Sequence, residues 1–174
     1  MMKRTSFFIL LACIAMAFGS CLKSDDFLDT ANTQPVIEFP SYASGANNAN
    51  GNTLSDTTPV VHLDTAIALN LASPQVINKD YKVTVQLDTA AIAAYNAAND
   101  DTYEPLPASL ITIPSATVTI PANHRIGRFG VSLALDKSDY NNHKYAVAFT
   151  ITDAPGLVIS SNAKTFIWLL DLHD

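Results

Sequence analysis

Three stretches of the chain alternate apolar and polar residues with a period of two, the spacing that sends successive side chains to opposite faces of a strand. Tyr81, Val83, Val85 and Leu87 alternate with Lys82, Thr84 and Gln86. Phe129, Val131, Leu133 and Leu135 alternate with Gly130, Ser132 and Ala134, and Tyr145, Val147, Phe149 and Ile151 alternate with Ala146, Ala148, Thr150 and Thr152. Each predicts a strand with one dry face. Shorter signals predict a first strand at Val36–Phe39 stopped by Pro40, and another at Val118 and Ile120 stopped by Pro121. Val61 and Leu63, then Ile67, Leu69 and Leu71, predict two short strands or one bent strand. The continuous apolar run Phe166–Leu170 suits a strand covered on both sides.

One segment has a different period. Asp88 and Thr89 precede AAIAAYNAAN, an alanine-rich stretch in which Ile92 and Tyr95 lie three apart and share a face. That predicts a capped helix ending near Asn99. Strand signals about every ten residues, bounded by Pro, Gly and Asn turns, predict an all-β fold, an immunoglobulin-like antiparallel β-sandwich with this one short α-helix between strands. The interval 41–58, SYASGANNANGNTLSDTT, has little apolar mass to offset the entropy of ordering, so a flexible loop is expected there.

The N-terminus reads as an address. Lys3 and Arg4 precede the uncharged apolar run Phe7–Phe18, which is too short for a bilayer span of about 20 residues but suits the core of a signal peptide. Gly19, Ser20 and Cys21 follow, resembling a bacterial lipobox, in which the cysteine is acylated and becomes the new N-terminus; the alternative is a plain secretory signal followed by a chance cysteine. The expected organisation is a signal peptide over 1–20, then the acylated cysteine, tether, first strand and flexible loop over 21–58, and a sandwich domain over 59–174. On that scheme Cys13 leaves with the signal and lipid consumes Cys21, so no disulfide forms. The short stretch Leu22-Lys23-Ser24-Asp25-Asp26 resembles the acidic surface-export signal of Bacteroidota lipoproteins; the alternative is an ordinary solvated tether. A lipid-anchored outer-membrane protein facing the cell exterior is therefore expected.

Length and charge narrow the classes further. A chain of 174 residues supports one sizeable core. A net charge of −6 argues against nucleic-acid binding, which requires a basic face. The sequence contains no Gly-rich phosphate loop, G-x-S-x-G, H-E-x-x-H or C-x-x-C pattern. His62 and Asp64 share a strand face and form the best metal pair, but two ligands do not make a site. Asn96, Asp100 and Asp101 cluster after the helix without the spacing of a calcium loop. His124 falls in an expected turn, and both it and His143, beside Asn142 and Lys144, are expected to be exposed. No metal or cofactor is expected. Trp168 sits in so apolar a run that it is expected in the core. Tyr42, Tyr103 and Tyr140, flanked by Ser, Thr, Asp and Asn, are the better candidates for stacking on a ligand such as a sugar ring.

The elements Val83–Asp88, Ile92, Tyr95-Asn96, Tyr103 with Leu106-Pro107, Val118–Ala122, Tyr145–Ile151 and Gly156–Ser160 together resemble the Bacteroidota lipoprotein domain of unknown function numbered seventeen thirty-five. The resemblance covers roughly Pro59 to Leu172. It implies an immunoglobulin-like domain of surface lipoproteins associated with polysaccharide utilisation, with no catalytic residues to transfer. Asn123 stands where the family commonly has Gly, which a left-handed turn tolerates. The function expected is non-catalytic binding of an extracellular glycan. The alternative is a structural or protein-interaction subunit with an outer-membrane protein partner. A metal-dependent hydrolase around His62 and Asp64 is the remaining possibility.

Overall fold

The alternation in the sequence sorts the strands into two facing sheets. The computed structural model describes residues 33–40, 48–55, 60–136 and 143–173, all within one compact unit, Thr33–Asp174. In chain order its elements are β1 (Val36–Glu38), β2 (Asn48–Ser55), β3 (Val60–Ala72), β4 (Tyr81–Leu87), helix α1 (Thr89–Asn99), β5 (Glu104–Pro105), a 3₁₀ turn (Ala108–Leu110), β6 (Ile111–Thr112), β7 (Thr117–Ile120), β8 (Ile126–Asp136), β9 (Lys144–Asp153), β10 (Val158–Ile159) and β11 (Thr165–His173). One sheet has the order β10-β1-β3-β8-β6 and the other β2-β11-β9-β4-β7, with β5 added beside β9.

The three alternating stretches become β4, β8 and β9. Val83, Val85, Phe129, Leu133, Val147 and Phe149 meet between the sheets, with Phe129 and Phe149 edge to face at 5.3 Å. Trp168 is buried in the same core, as its apolar surroundings predict. The helix forms where expected because Asp88 accepts the Ala91 N–H at 3.1 Å, and it stops at Asp100, whose left-handed conformation ends the backbone ladder. Asn123 takes the expected left-handed turn with φ 64°.

Strand β9 is buried on both faces. Tyr145, Val147, Phe149 and Ile151 face the sandwich core, while Ala146 and Ala148 form a second cluster with Ile92 of α1 and Ile167 of β11. Two alanines leave room for a helix to lie close against the sheet, and Ile92 fills that room. Phe166–Leu170 is likewise covered on both sides, as its unbroken apolar run anticipates: Trp168 and Leu170 enter the main core and Ile167 the second.

Several elements depart from expectation. The stretch expected as either two strands or one is a single strand, β3, paired with β8 in unbroken register from Val60↔Asp136 to Asn70↔Ile126. Residues 48–55, inside the expected flexible loop, form β2, parallel to β11 from Asn48↔Phe166 to Ser55↔His173. Main-chain pairing to a ready-made strand edge requires no apolar side chain, so the Asn- and Gly-rich composition misled. Parallel pairs also occur between β1 and β10 and between β5 and β9, in a sandwich expected to be antiparallel throughout. The short strands β5, β6 and β10 are too brief to show a period.

At Gly127 strand β8 passes close against β7. A Cβ there would lie 2.8 Å from Ile120 Cγ1 and 2.9 Å from Val118 Cγ1, both on buried side chains of β7. At Gly130, three residues along the same strand, nothing lies within 4 Å of that position. Gly127→Ala should therefore cost about 1–3 kcal/mol in urea unfolding, whereas Gly130→Ala should be neutral or stabilise by up to about 1 kcal/mol. Equal effects of the two substitutions would contradict this packing.

Candidate functional site

Polar and aromatic side chains converge where the C-terminal end of α1, β5 and the start of β9 meet. The convergence starts from one amide. Asn96 Nδ2 donates to the Tyr103 carbonyl at 2.8 Å and Asn96 Oδ1 accepts the Tyr103 N–H at 3.0 Å, so a side chain supplies the two bonds that a neighbouring strand would otherwise make. The main-chain N–H of Asp101 reaches the Asn96 carbonyl at 3.1 Å. Residues 100–103 are thereby folded back, and the chain enters β5 beside β9, with Leu106 N donating to the Ala146 carbonyl at 3.0 Å. Leu106 is buried.

Tyr103 is thus held in place by its own backbone. Its ring lies edge-on to Tyr95 at 6.1 Å, and the Lys144 ammonium sits 5.5 Å from its centroid. Lys144 Nζ also lies 3.8 Å from Asp101 Oδ1, and His143 Nδ1 lies 3.7 Å from Glu104 Oε2. The His143 ring stacks on Tyr145 at 5.3 Å with an interplanar angle of 15°. Ion pairs this exposed contribute at most about 1 kcal/mol each, so the backbone clip, rather than the charges, sets the geometry. The result is a rim bearing two carboxylates, an ammonium and an imidazole around a half-buried tyrosine. It can accept and donate hydrogen bonds to a polyhydroxylated ligand, but Lys144 already covers one face of the Tyr103 ring.

Beside the rim is an apolar cleft of about 100 Å³ lined by Leu87, Ile92, Leu106, Ile111, Ala146 and Ala148. Small-molecule sites are typically about 300–1,000 Å³. A ligand of sugar size would therefore lie on the open rim, not in the cleft.

Of the three tyrosines singled out in the sequence, Tyr103 lies on this rim; Tyr42 and Tyr140 lie outside the described residues, as does Cys21. Asn96, Asp100 and Asp101 do come together, but as a structural device: Asn96 spends its amide on Tyr103 and Asp100 caps the helix. His62 and Asp64 are exposed on β3, and among the described residues no group of three or more His, Cys, Asp or Glu side chains is arranged to hold a metal ion. His124 is exposed, with Nδ1 3.0 Å from the Ala122 carbonyl. Glu104, His143 and Lys144 were not legible as partners of Tyr103, because parallel pairing of β5 with β9 brings together residues about forty positions apart. Asn96→Ala would leave both Tyr103 main-chain groups without that partner. It should cost about 1–3 kcal/mol and raise amide exchange at Tyr103, and Asn96→Asp, which keeps the acceptor only, should lie in between. Unchanged exchange at Tyr103 would refute the clip.

Comparison with known proteins supplies the lineage. No curated protein matches the sequence. Among solved structures, a candidate carbohydrate binding protein from Bacteroides ovatus superposes with a TM-score of 0.62 at 15% identity, covering 77% of this chain and 36% of its own. EndoBT-3987 of Bacteroides thetaiotaomicron, solved with Man5GlcNAc product, superposes with a TM-score of 0.57 at 19% identity, covering 71% and 28%. A multidomain Bacteroides ovatus protein that includes the domain of unknown function numbered 1735 gives 0.53 at 15% identity, covering 79% and 44%. This chain thus spans less than half the length of each. At these identities the likeness is one of fold. A protein-family model described as "-like, N-terminal domain" matches residues 29–158. That match takes in every element from β1 through β9, and the chain belongs to the "-like, N-terminal domain" family.

Proposed function

We propose that the protein is a lipid-anchored module of the outer cell surface that binds an extracellular polysaccharide or glycoprotein glycan without transforming it. The observation that carries this proposal is the rim around Tyr103, where two carboxylates, an ammonium and an imidazole stand at one corner of the sandwich. Hydroxyl-rich ligands are held by such donor and acceptor pairs placed beside an aromatic surface. The fold is shared with a candidate carbohydrate binding protein and with a protein solved with a Man5GlcNAc product, and both support a role in glycan handling. The sequence resemblance to the domain numbered seventeen thirty-five, together with a solved relative of this fold that includes that domain, supports a place in polysaccharide utilisation. Anchoring rests on the apolar run Phe7–Phe18 followed by Cys21; several acyl chains at about 0.8 kcal/mol per buried methylene hold a protein on a membrane almost permanently.

A second role, as a structural or protein-interaction subunit of an outer-membrane assembly, is favoured by one observation. Chains that share the fold are two to four times longer than the portion this chain spans, so the sandwich is compatible with packing against other domains. A stoichiometric protein partner co-purifying from membranes, with no glycan retained, would favour this role over glycan binding.

Two measurements test the proposal. Protein lacking residues 1–21 should be retarded in affinity gels containing at least one host or plant polysaccharide. Tyr103→Ala or Lys144→Ala should weaken that retardation by roughly tenfold, a change of about 1.4 kcal/mol, and His62→Ala should leave it unaltered. No retention across the panel would count against glycan binding. Cys21→Ser should abolish fatty-acid labelling and release the protein from the membrane fraction, and persistent labelling would exclude Cys21 as the anchor.

A further inference from the structure

The longest strand, β3, is paired on one side along most of its length and on the other only at its C-terminal end. Leu71 N donates to the Arg125 carbonyl at 2.7 Å, continuing the β3–β8 register by one pair. Main-chain groups alternate sides along a strand, so those of Leu63, Thr65, Ile67 and Leu69 point toward β8. Those of His62, Asp64, Ala66, Ala68 and Asn70 point the other way. At Asn70 that side is taken by Glu38 of β1, after which Phe39 turns to bond the Ala163 carbonyl. From Ala68 back to Val60, no strand among the described residues lies along this edge.

Open edges are usually blunted by Lys, Pro, a bulge or shortness. The run Val60–Leu69, VVHLDTAIAL, contains neither Lys nor Pro, and its register with β8 is unbroken. The opposite margin of the same sheet ends in the two-residue strand β6. On the outer face His62 and Asp64 are exposed and lie beside Ala134 and Ser132 of β8, which carry no charge. Leu63 and Thr65, on the inner face, are only half-buried.

We propose that this edge is the interface with a second copy of the same chain, the two β3 strands pairing antiparallel about a twofold axis at Leu63. Only registers that match residues of even number to residues of even number bring outward-pointing main-chain groups together. Such registers are centred on a single residue. A centre at His62 sets imidazole against imidazole, and one at Asp64 sets carboxylate against carboxylate. A centre at Leu63 instead sets His62 of each copy opposite Asp64 of the other, in a pair that exchanges both main-chain hydrogen bonds. It also brings the two Leu63 side chains together on the inner face, where each is half-exposed in the single chain. An imidazole N–H can donate to a carboxylate directly across a strand pair, whereas two carboxylates there repel and two imidazoles lack that acceptor. An interface made by the same patch on both partners is the twofold type most common in homodimers. Strand pairing of this length buries little area, so the dimer is weak and concentration-dependent. Confinement of both copies to a membrane surface would favour it.

The test is sedimentation velocity on the full chain in detergent, over rising concentration. The parent protein should shift from monomer to dimer. His62→Asp places carboxylates opposite one another and Asp64→His places imidazoles opposite one another, so each variant alone should dimerise about tenfold more weakly. Mixing the two variants should restore a dimer, because each copy then supplies what the other lacks. Both substitutions are on exposed side chains, and an unchanged melting temperature checks that folding is intact. Monomer mass for the parent up to on the order of 1 mM would overturn the proposal. So would a parent-like dimer in either variant alone, or failure of the mixed pair to associate better than each variant by itself.

Discussion

The architecture rests on the two-sided burial of one strand. Strand β9 holds large side chains toward the sandwich core and two alanines, Ala146 and Ala148, toward the helix. Larger residues at those two positions would lift α1 from the sheet, and with it the Asp88 cap, whose N–H reaches the Ala148 carbonyl at 2.9 Å. Asp88 also accepts a hydrogen bond from Thr150 Oγ1 at 2.8 Å, so one carboxylate joins the helix start to the strand beneath it. The corner that presents Tyr103 exists because the helix lies flat there. Close packing transmits each of these choices to the next.

The rim shows how structural and functional demands share residues. Asn96 uses both halves of its amide to hold the backbone of Tyr103, and it is therefore a scaffold residue whose side chain is not offered to a ligand. The exposed Glu104, His143 and Lys144 and the half-buried Asp101 pair loosely at 3.7–3.8 Å. Ion pairs this solvated contribute little to stability. Membership of the "-like, N-terminal domain" family accords with a sandwich whose loops and edges, more than its core, are free to specialise.

Sheet edges explain where local inference ran short. The long strands were legible because their apolar positions recur every second residue, and α1 because Asp88, the alanines and Ile92 agree with one another. Strand β2 was not, since Asn, Gly and Ser lack strand preference and only the neighbouring edge of β11 makes a strand of them. Tyr103 was legible as an aromatic in a polar segment. Its companions Lys144 and His143 were not, because no local pattern couples β5 to the start of β9. His62 and Asp64 read as a polar pair on one strand face that falls short of a metal site; the open edge of β3 is visible only once the order of the sheet is known.

The amino-acid sequence by itself determined the all-β class, the helix α1 and its cap, and the burial of Trp168, because each follows from periodicity or from conformational preference within a few residues. The tertiary structure decided which strands lie side by side, which pairs run parallel, which edge stays open and which charged groups surround Tyr103. Those outcomes depend on contacts between distant segments, whose free energies arise only when the two sheets have closed on a common core.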